Sequence, residues 1–154
     1  MHPVLYEIAL PDETATARFA AKIAPILSSG DTLLLEGDIG AGKSAFARAL
    51  IRARLGRQED VPSPTFTLVQ TYESPDGDIW HCDLYRLSHP DEAFELGLED
   101  AFETAICLIE WPDRLGNAAP GNALRLSFRA GDMAHDLVIA GPETWARRLV
   151  ALND

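Results

Sequence analysis

Cysteine is scarce in this chain: Cys82 and Cys107 are the only two in 154 residues, and they lack C-x-x-C spacing. That pattern excludes a disulfide scaffold and reads as two reduced core thiols in a cytosolic protein. Long apolar runs are also missing, and none approaches the roughly 18 residues that span a bilayer. Residues 1–7 carry neither the basic n-region nor the apolar h-region of a secretory signal. Positive charge is outweighed, with 13 Lys and Arg against 24 Asp and Glu, a net charge of −11. Such a chain is repelled by phosphate backbones, which argues against unaided binding to nucleic acid or to an anionic membrane. Any phosphate ligand must be held by local geometry. Lysine is rarest of the charged residues, present only as Lys22 and Lys43.

What is present is an ordinary globular balance, 47% hydrophobic and 24% charged, at a length that fits one domain over residues 1–154. Residues 4–10 read as a first strand ended by Pro11. Asp12 then caps a helix whose Phe19, Ile23, Ile26 and Leu27 share one face, with Gly30 as its stop. Residues 32–35 form a short continuous apolar run, the mark of a strand buried on both faces. A second helix runs to about Leu55, with Phe46, Ala49, Leu50 and Ala53 as its buried stripe and Gly56 closing it. Residues 65–72 and 79–85 read as strands around a turn at residues 74–78, and residues 90–102 as helical with a break at Gly97. Residues 105–109 are another buried strand. Leu124, Leu126 and Phe128 alternate with polar residues, a turn at Gly131 and Asp132 leads to a strand near residues 137–140, and a last helix points Trp145, Leu149 and Leu152 inward. The mixture predicts a three-layer α/β domain, a mixed central sheet with helices on both faces.

Between the apolar run and the second helix lies Gly37-Asp38-Ile39-Gly40-Ala41-Gly42-Lys43-Ser44, which matches G-x-x-x-x-G-K-[ST]. The glycines let main-chain N–H groups converge on a polyphosphate, and the helix beginning near Lys43 turns its positive dipole end toward the same anion. Lys43 then reaches the β- and γ-phosphates, and the Ser44 hydroxyl ligates magnesium. The strand before the loop and the amphipathic helix after it are the context that the motif requires.

Such a loop needs an acid at the end of a neighbouring strand, and two positions qualify. Glu110 closes the apolar run at residues 105–109, and Asp83 lies on one strand face with His81 and Tyr85. A mid-strand carboxylate there is costly to bury without a cation or donors. The alternative pairs Asp83 with Arg86 and leaves Glu110 as a solvated strand end. His81 and Asp83 do not make a zinc site, since no Cys or His cluster completes it. The connection with Ser63, Pro64, Thr65 and Phe66 sits where P-loop switch proteins sense the γ-phosphate, although a plain connecting loop accounts for it nearly as well. Trp111 either stacks on a ligand or packs in the core. Arg48, Arg52 and Arg54 read as a solvated face of the second helix.

The segments GDIGAGKS, SPTFTLVQTY, HCDLYRL and LIEWPDRLG stand in one order and spacing, and with them the chain resembles the TsaE (YjeE) family of ATPases from about Val4 to Gly116. That resemblance implies a slow ATPase required for N6-threonylcarbamoyladenosine in transfer RNA, working with the TsaD and TsaB proteins and touching RNA only through that complex. It implies the P-loop NTPase fold, that residues 37–44 bind ATP, that Ser44 and Glu110 ligate Mg2+, and that Asp83 is the acid needed for hydrolysis and a third candidate metal ligand. Lys43 and Thr65 join Asp83 as candidate catalytic residues, Thr65 as the switch threonine, and Trp111 stands beside the nucleotide. Residues near 10–14 are the suggested adenine corner. Two departures from the family pattern stand out: Ser44 where threonine is frequent, and Cys82 where a bulkier apolar residue is usual. The alternatives are a small P-loop metabolite kinase, against which the chain lacks an R-x-x-x-R lid segment, or a nucleotide-bound scaffold. A GTPase is disfavoured because no N-K-x-D segment is present.

Overall fold

The computed structural model describes residues 2–38, 40–56, 60–62, 64, 67–130 and 135–153. Its strands are β1 (Val4–Leu10), β2 (Thr32–Glu36), β3 (Val69–Tyr72), β4 (Ile79–Asp83), β5 (Ile106–Glu110), β6 (Leu124–Ala130) and β7 (His135–Ala140). Helices α1 (Glu13–Ile23), α2 (Lys43–Leu55), α3 (Glu92–Glu95), α4 (Leu98–Thr104) and α5 (Thr144–Leu149) join them, with short 3-10 turns at Ala24–Ile26, Pro112–Ala118 and Val150–Asn153. The strands form one mixed sheet in the order β1-β7-β6-β2-β5-β4-β3. Strands β6, β2, β5 and β4 run parallel through its centre, β7 and β3 flank them in the opposite direction, and β1, antiparallel to β7, runs with the central strands.

The pleat divides the core. Leu33, Leu35, Ile106 and Leu108 pack on the face covered by α1 and α2, and Leu34, Cys107 and Ile109 on the face covered by α3 and α4. Both faces are apolar, so the central strands read as unbroken hydrophobic runs. This is the three-layer α/β architecture that the sequence predicts.

Local signals explain most boundaries. The Asp12 carboxylate accepts the Ala15 N–H at 2.8 Å and caps α1. Gly56, at φ 72°, ends α2 and returns its N–H to the Arg52 carbonyl. Gly97, at φ 84°, separates α3 from α4.

Four readings need correction. Of the 65–72 segment, residues 67–72 are described and only 69–72 form a strand, because Leu68 turns back at φ 67° and donates its N–H to the Pro64 carbonyl. Strand β4 ends at Asp83, where the chain turns and the Leu87 N–H bonds to the Leu84 carbonyl, so Tyr85 lies beyond the strand. The first helix gives way at Ala24 to a 3-10 turn that contains Pro25, before it reaches Gly30. The buried stripe of α2 is Lys43, Phe46, Ala47, Leu50 and Ile51, spaced i, i+3, i+4, i+7 and i+8, whereas Ala53 is exposed. Isoleucine carries more apolar area than alanine, so Ile51 sets the phase of the helix.

Candidate functional site

The loop after β2 is built from backbone that side chains disfavour. Gly37, Gly40 and Gly42 sit at φ 143°, 86° and 108°. A Cβ on Gly37 would come within 2.5 Å of the Phe128 carbonyl oxygen on β6, so that position is closed sterically as well. At Gly40 no atom lies within 4 Å of such a Cβ, and the dihedral alone demands glycine. The N-terminus of α2 then begins at Lys43, with Gly42 as its cap residue. Ile39 and Thr65 lie outside the described residues.

Parallel pairing delivers the acids to this helix end. Strand β5 lies beside β2 with Glu110 opposite Leu35, and β4 lies beside β5 with Asp83 opposite Glu110. The pleat sets Ile79, His81 and Asp83 on one face of β4, and Ile79 packs in the α2-side core, so the two carboxylates share the α2 side of the sheet at its carboxyl edge. The Ser44 hydroxyl donates to Glu110 Oε1 at 2.9 Å. Glu110 Oε2 lies 2.7 Å from His81 Nε2, with both side chains buried. Asp83 Oδ1 accepts the Tyr85 N–H at 3.1 Å, fixing the chain as it leaves β4.

Lys43 is only 5% exposed. Its ammonium donates to the Gly37 carbonyl at 2.6 Å and rests 3.6 Å from the centre of the Trp111 ring. Trp111 reaches that position from a left-handed backbone, φ 59°, directly after Glu110, and its ring packs 4.9 Å from that of Tyr85. Burial pushes the Lys43 ammonium below the ordinary lysine range, a shift opposed by the carboxylates of Glu110, Asp83, Asp38 and Asp113. The tryptophan therefore touches the loop lysine itself.

A cavity of about 710 Å³ opens over the loop, within the range of small-ligand pockets. Gly40, Gly42, Lys43 and Ser44 form one wall and Asp83, Glu110 and Trp111 another. Leu10, Pro11, Asp12 and Glu13, the corner suggested for a base, line the same cavity. Tyr85, from the HCDLYRL segment, lines it too, as do Arg48 and His135, which belong to no sequence motif. Arg48 was traceable all the same, since it lies four residues after Ser44 on one helix. Arg54, read as solvated, is half-buried and donates to the carbonyls of Ala24 and Leu27 at 2.9 Å each. It ties α2 to the end of α1.

The donor set at the edge of β4 and β5 is a hydroxyl and two carboxylates, the hard oxygen ligands that suit magnesium. Two carboxylates beside a polyphosphate cradle also concentrate negative charge, which a divalent cation would balance. The residues present fit that ion.

Comparison with known proteins gives the family. The family model described as "Threonylcarbamoyl adenosine biosynthesis protein TsaE" matches residues 10–136. The chain belongs to the TsaE family. The TsaE match therefore includes the loop, both acids and Trp111. The tRNA threonylcarbamoyladenosine biosynthesis protein TsaE of Rickettsia bellii is 40% identical over 123 residues, covering 80% of this chain and 85% of that protein. Its namesake from Haemophilus influenzae is 34% identical over 148 residues, covering 92% and 93%. The crystal structure of Bacillus subtilis YdiB superposes with a TM-score of 0.82 at 26% identity, over 99% of this chain and 96% of that one. That likeness extends beyond residues 10–136 to the C-terminal helix.

Proposed function

We propose that this chain is a magnesium-dependent ATP hydrolase acting in the biosynthesis of N6-threonylcarbamoyladenosine in transfer RNA, as a single cytoplasmic domain. The observation that carries the reading is the meeting of Lys43 and Ser44, at the mouth of a glycine-walled loop, with Glu110 and Asp83 at the ends of adjacent parallel strands. Membership of the TsaE family supplies the pathway. Among the described residues no helix is long and apolar enough to cross a membrane.

The residues divide the work. Main-chain N–H groups of residues 37–44 and the N-terminus of α2 hold the polyphosphate. Lys43 leaves the Gly37 carbonyl and the Trp111 face to meet the β- and γ-phosphates, exchanging one carbonyl acceptor for charged oxygens. Ser44 and Glu110 would hold magnesium, with Asp83 either in its shell or orienting the attacking water. The ion would supply charge neutralisation at the phosphates. Thr65 is the proposed sensor of the γ-phosphate. The corner at Leu10, Pro11, Asp12 and Glu13 takes the adenine, since it lines the same cavity as the loop.

Partners complete the enzyme in this proposal. TsaD and TsaB dock on the chain, accelerate a hydrolysis that is slow alone, and carry the contact with transfer RNA that a net charge of −11 disfavours here. The test is ATP hydrolysis with and without TsaD and TsaB, on wild type and Lys43→Ala. Stimulation by the pair that is lost in Lys43→Ala is the expected result. An unchanged rate on adding both partners overturns the partner-dependent reading.

A further inference from the structure

We infer that His81 is a positioning residue: its imidazole Nε2–H holds the Glu110 carboxylate in the orientation that receives the metal. The inference rests on the proposed magnesium role of Glu110 and extends it to a residue that touches neither metal nor nucleotide.

His81 lies in the middle of β4, fully buried, with Nε2 at 2.7 Å from Glu110 Oε2. Its other ring nitrogen, Nδ1, is buried and has no hydrogen-bond partner among the described residues. These two facts together assign the tautomer. A proton on Nδ1 would leave a buried donor unsatisfied and turn the Nε2 lone pair toward a carboxylate oxygen. A proton on Nε2 makes a donor–acceptor pair with Glu110 and leaves at Nδ1 only a weakly solvated acceptor, the smaller cost.

The effect falls on the carboxylate. Glu110 Oε1 accepts from Ser44 and Oε2 accepts from His81, so the group is gripped at both oxygens and its terminal torsion has one setting. Each oxygen keeps a further lone pair for a cation. In many metal sites a carboxylate orients a ligating histidine; here a histidine orients a ligating carboxylate, and such outer partners typically change metal affinity 10- to 100-fold when removed. His81 is placed for this by register: it is opposite Leu108, two residues before Glu110 on β5, with its side chain on the α2 side of the sheet. A merely space-filling core histidine would show no such dependence on its Nε2 donor.

The test uses the full chain and compares the affinity for a non-hydrolysable ATP analogue, by calorimetry, with magnesium and with EDTA. The quantity read is the ratio of the two affinities. His81→Gln keeps an N–H near the place of Nε2 and is expected to hold the ratio within about threefold of wild type. His81→Leu removes the donor and is expected to lower the ratio about tenfold or more. A wild-type ratio in His81→Leu, or equal losses in both variants, overturns the positioning role. If wild type itself shows no magnesium response, the metal reading of the site fails first and this inference falls with it. Should His81→Leu not fold, nitrogen-15 spectra of the wild-type imidazole decide alone: protonated Nε2 with bare Nδ1 is expected, and the opposite tautomer refutes the assignment.

Discussion

Gly37 and Gly40 stand three residues apart in one loop, both at positive φ, yet alanine at the two positions has different consequences. At Gly37 the new methyl would sit 2.5 Å from the Phe128 carbonyl oxygen, 3.2 Å from the Phe128 Cβ and 3.3 Å from the Ala41 Cβ. Phe128 is paired in β6, and its ring packs 5.5 Å from that of Phe46 in the core, so it has little room to yield. The disfavoured dihedral costs about 1–3 kcal/mol, and relieving the contact adds about 1–3 kcal/mol as in other overpacked sites. The lower entropy of the unfolded alanine chain offsets only about 0.4–1 kcal/mol of this. Gly37→Ala should therefore lose about 1–5 kcal/mol. At roughly 2–4 °C per kcal/mol for a chain of this size, the melting temperature falls by about 10 °C. Gly40→Ala meets no atom within 4 Å and bears only the dihedral cost less the same offset, about 1 kcal/mol or about 3 °C. Its methyl, however, enters the wall of the cavity, so nucleotide affinity should fall about tenfold or more despite the small stability change. Thermal melts followed by circular dichroism, with calorimetric titration of ATP, measure both quantities. Equal melting temperatures for the two variants, or a lower one for Gly40→Ala, would refute the steric account of the loop.

Two further outcomes follow from ionisation. Burial lowers the Lys43 pKa, so the lysine loses its charge at lower pH than in the unfolded chain. Nucleotide affinity should decline on the alkaline side with a break below the ordinary lysine value of 10.5, and the break should vanish in Lys43→Ala. The same shift acts on folding with a definite sign: the unfolded chain holds more protons between the two pKa values, so this group's contribution to stability rises with pH across that window. A break in affinity at or above 10.5 contradicts the desolvated lysine. Burial likewise pushes the Cys107 thiol up to about 12 and raises Cys82 as well. At pH 8 a thiol of that pKa is ionised to roughly one part in ten thousand, so native protein should resist thiol reagents and label at both cysteines on unfolding; rapid native labelling refutes it.

Much of this chain was legible before its fold. The loop glycines, Lys43 and Ser44 were identifiable because a polyphosphate cradle constrains consecutive residues, and consecutive residues are what a sequence displays. The strand at Val4–Leu10, the Asp12 cap and the Gly56 and Gly97 breaks were legible for the same reason: each is a local dihedral or hydrogen-bond preference. Glu110 was a candidate from its place at the end of an apolar run. Where the α2 stripe was misjudged, the competing principle was area: a pattern that counts alanine and isoleucine alike cannot find the phase of a helix.

What required the tertiary structure were relations between distant segments. That Glu110 meets Ser44 across 66 residues, and His81 across 29, depends on which strands become neighbours and in what register. Trp111 and Lys43 come into contact because a left-handed turn after β5 throws the ring across the loop. Arg54 found its acceptors in the carbonyls at the end of the first helix, and periodicity holds no record of them. A sequence specifies the groups that chemistry needs through local preference. Only the packing of strands decides which of those groups share a cavity, because register is settled by the burial of a whole sheet face and not by any residue's own inclination.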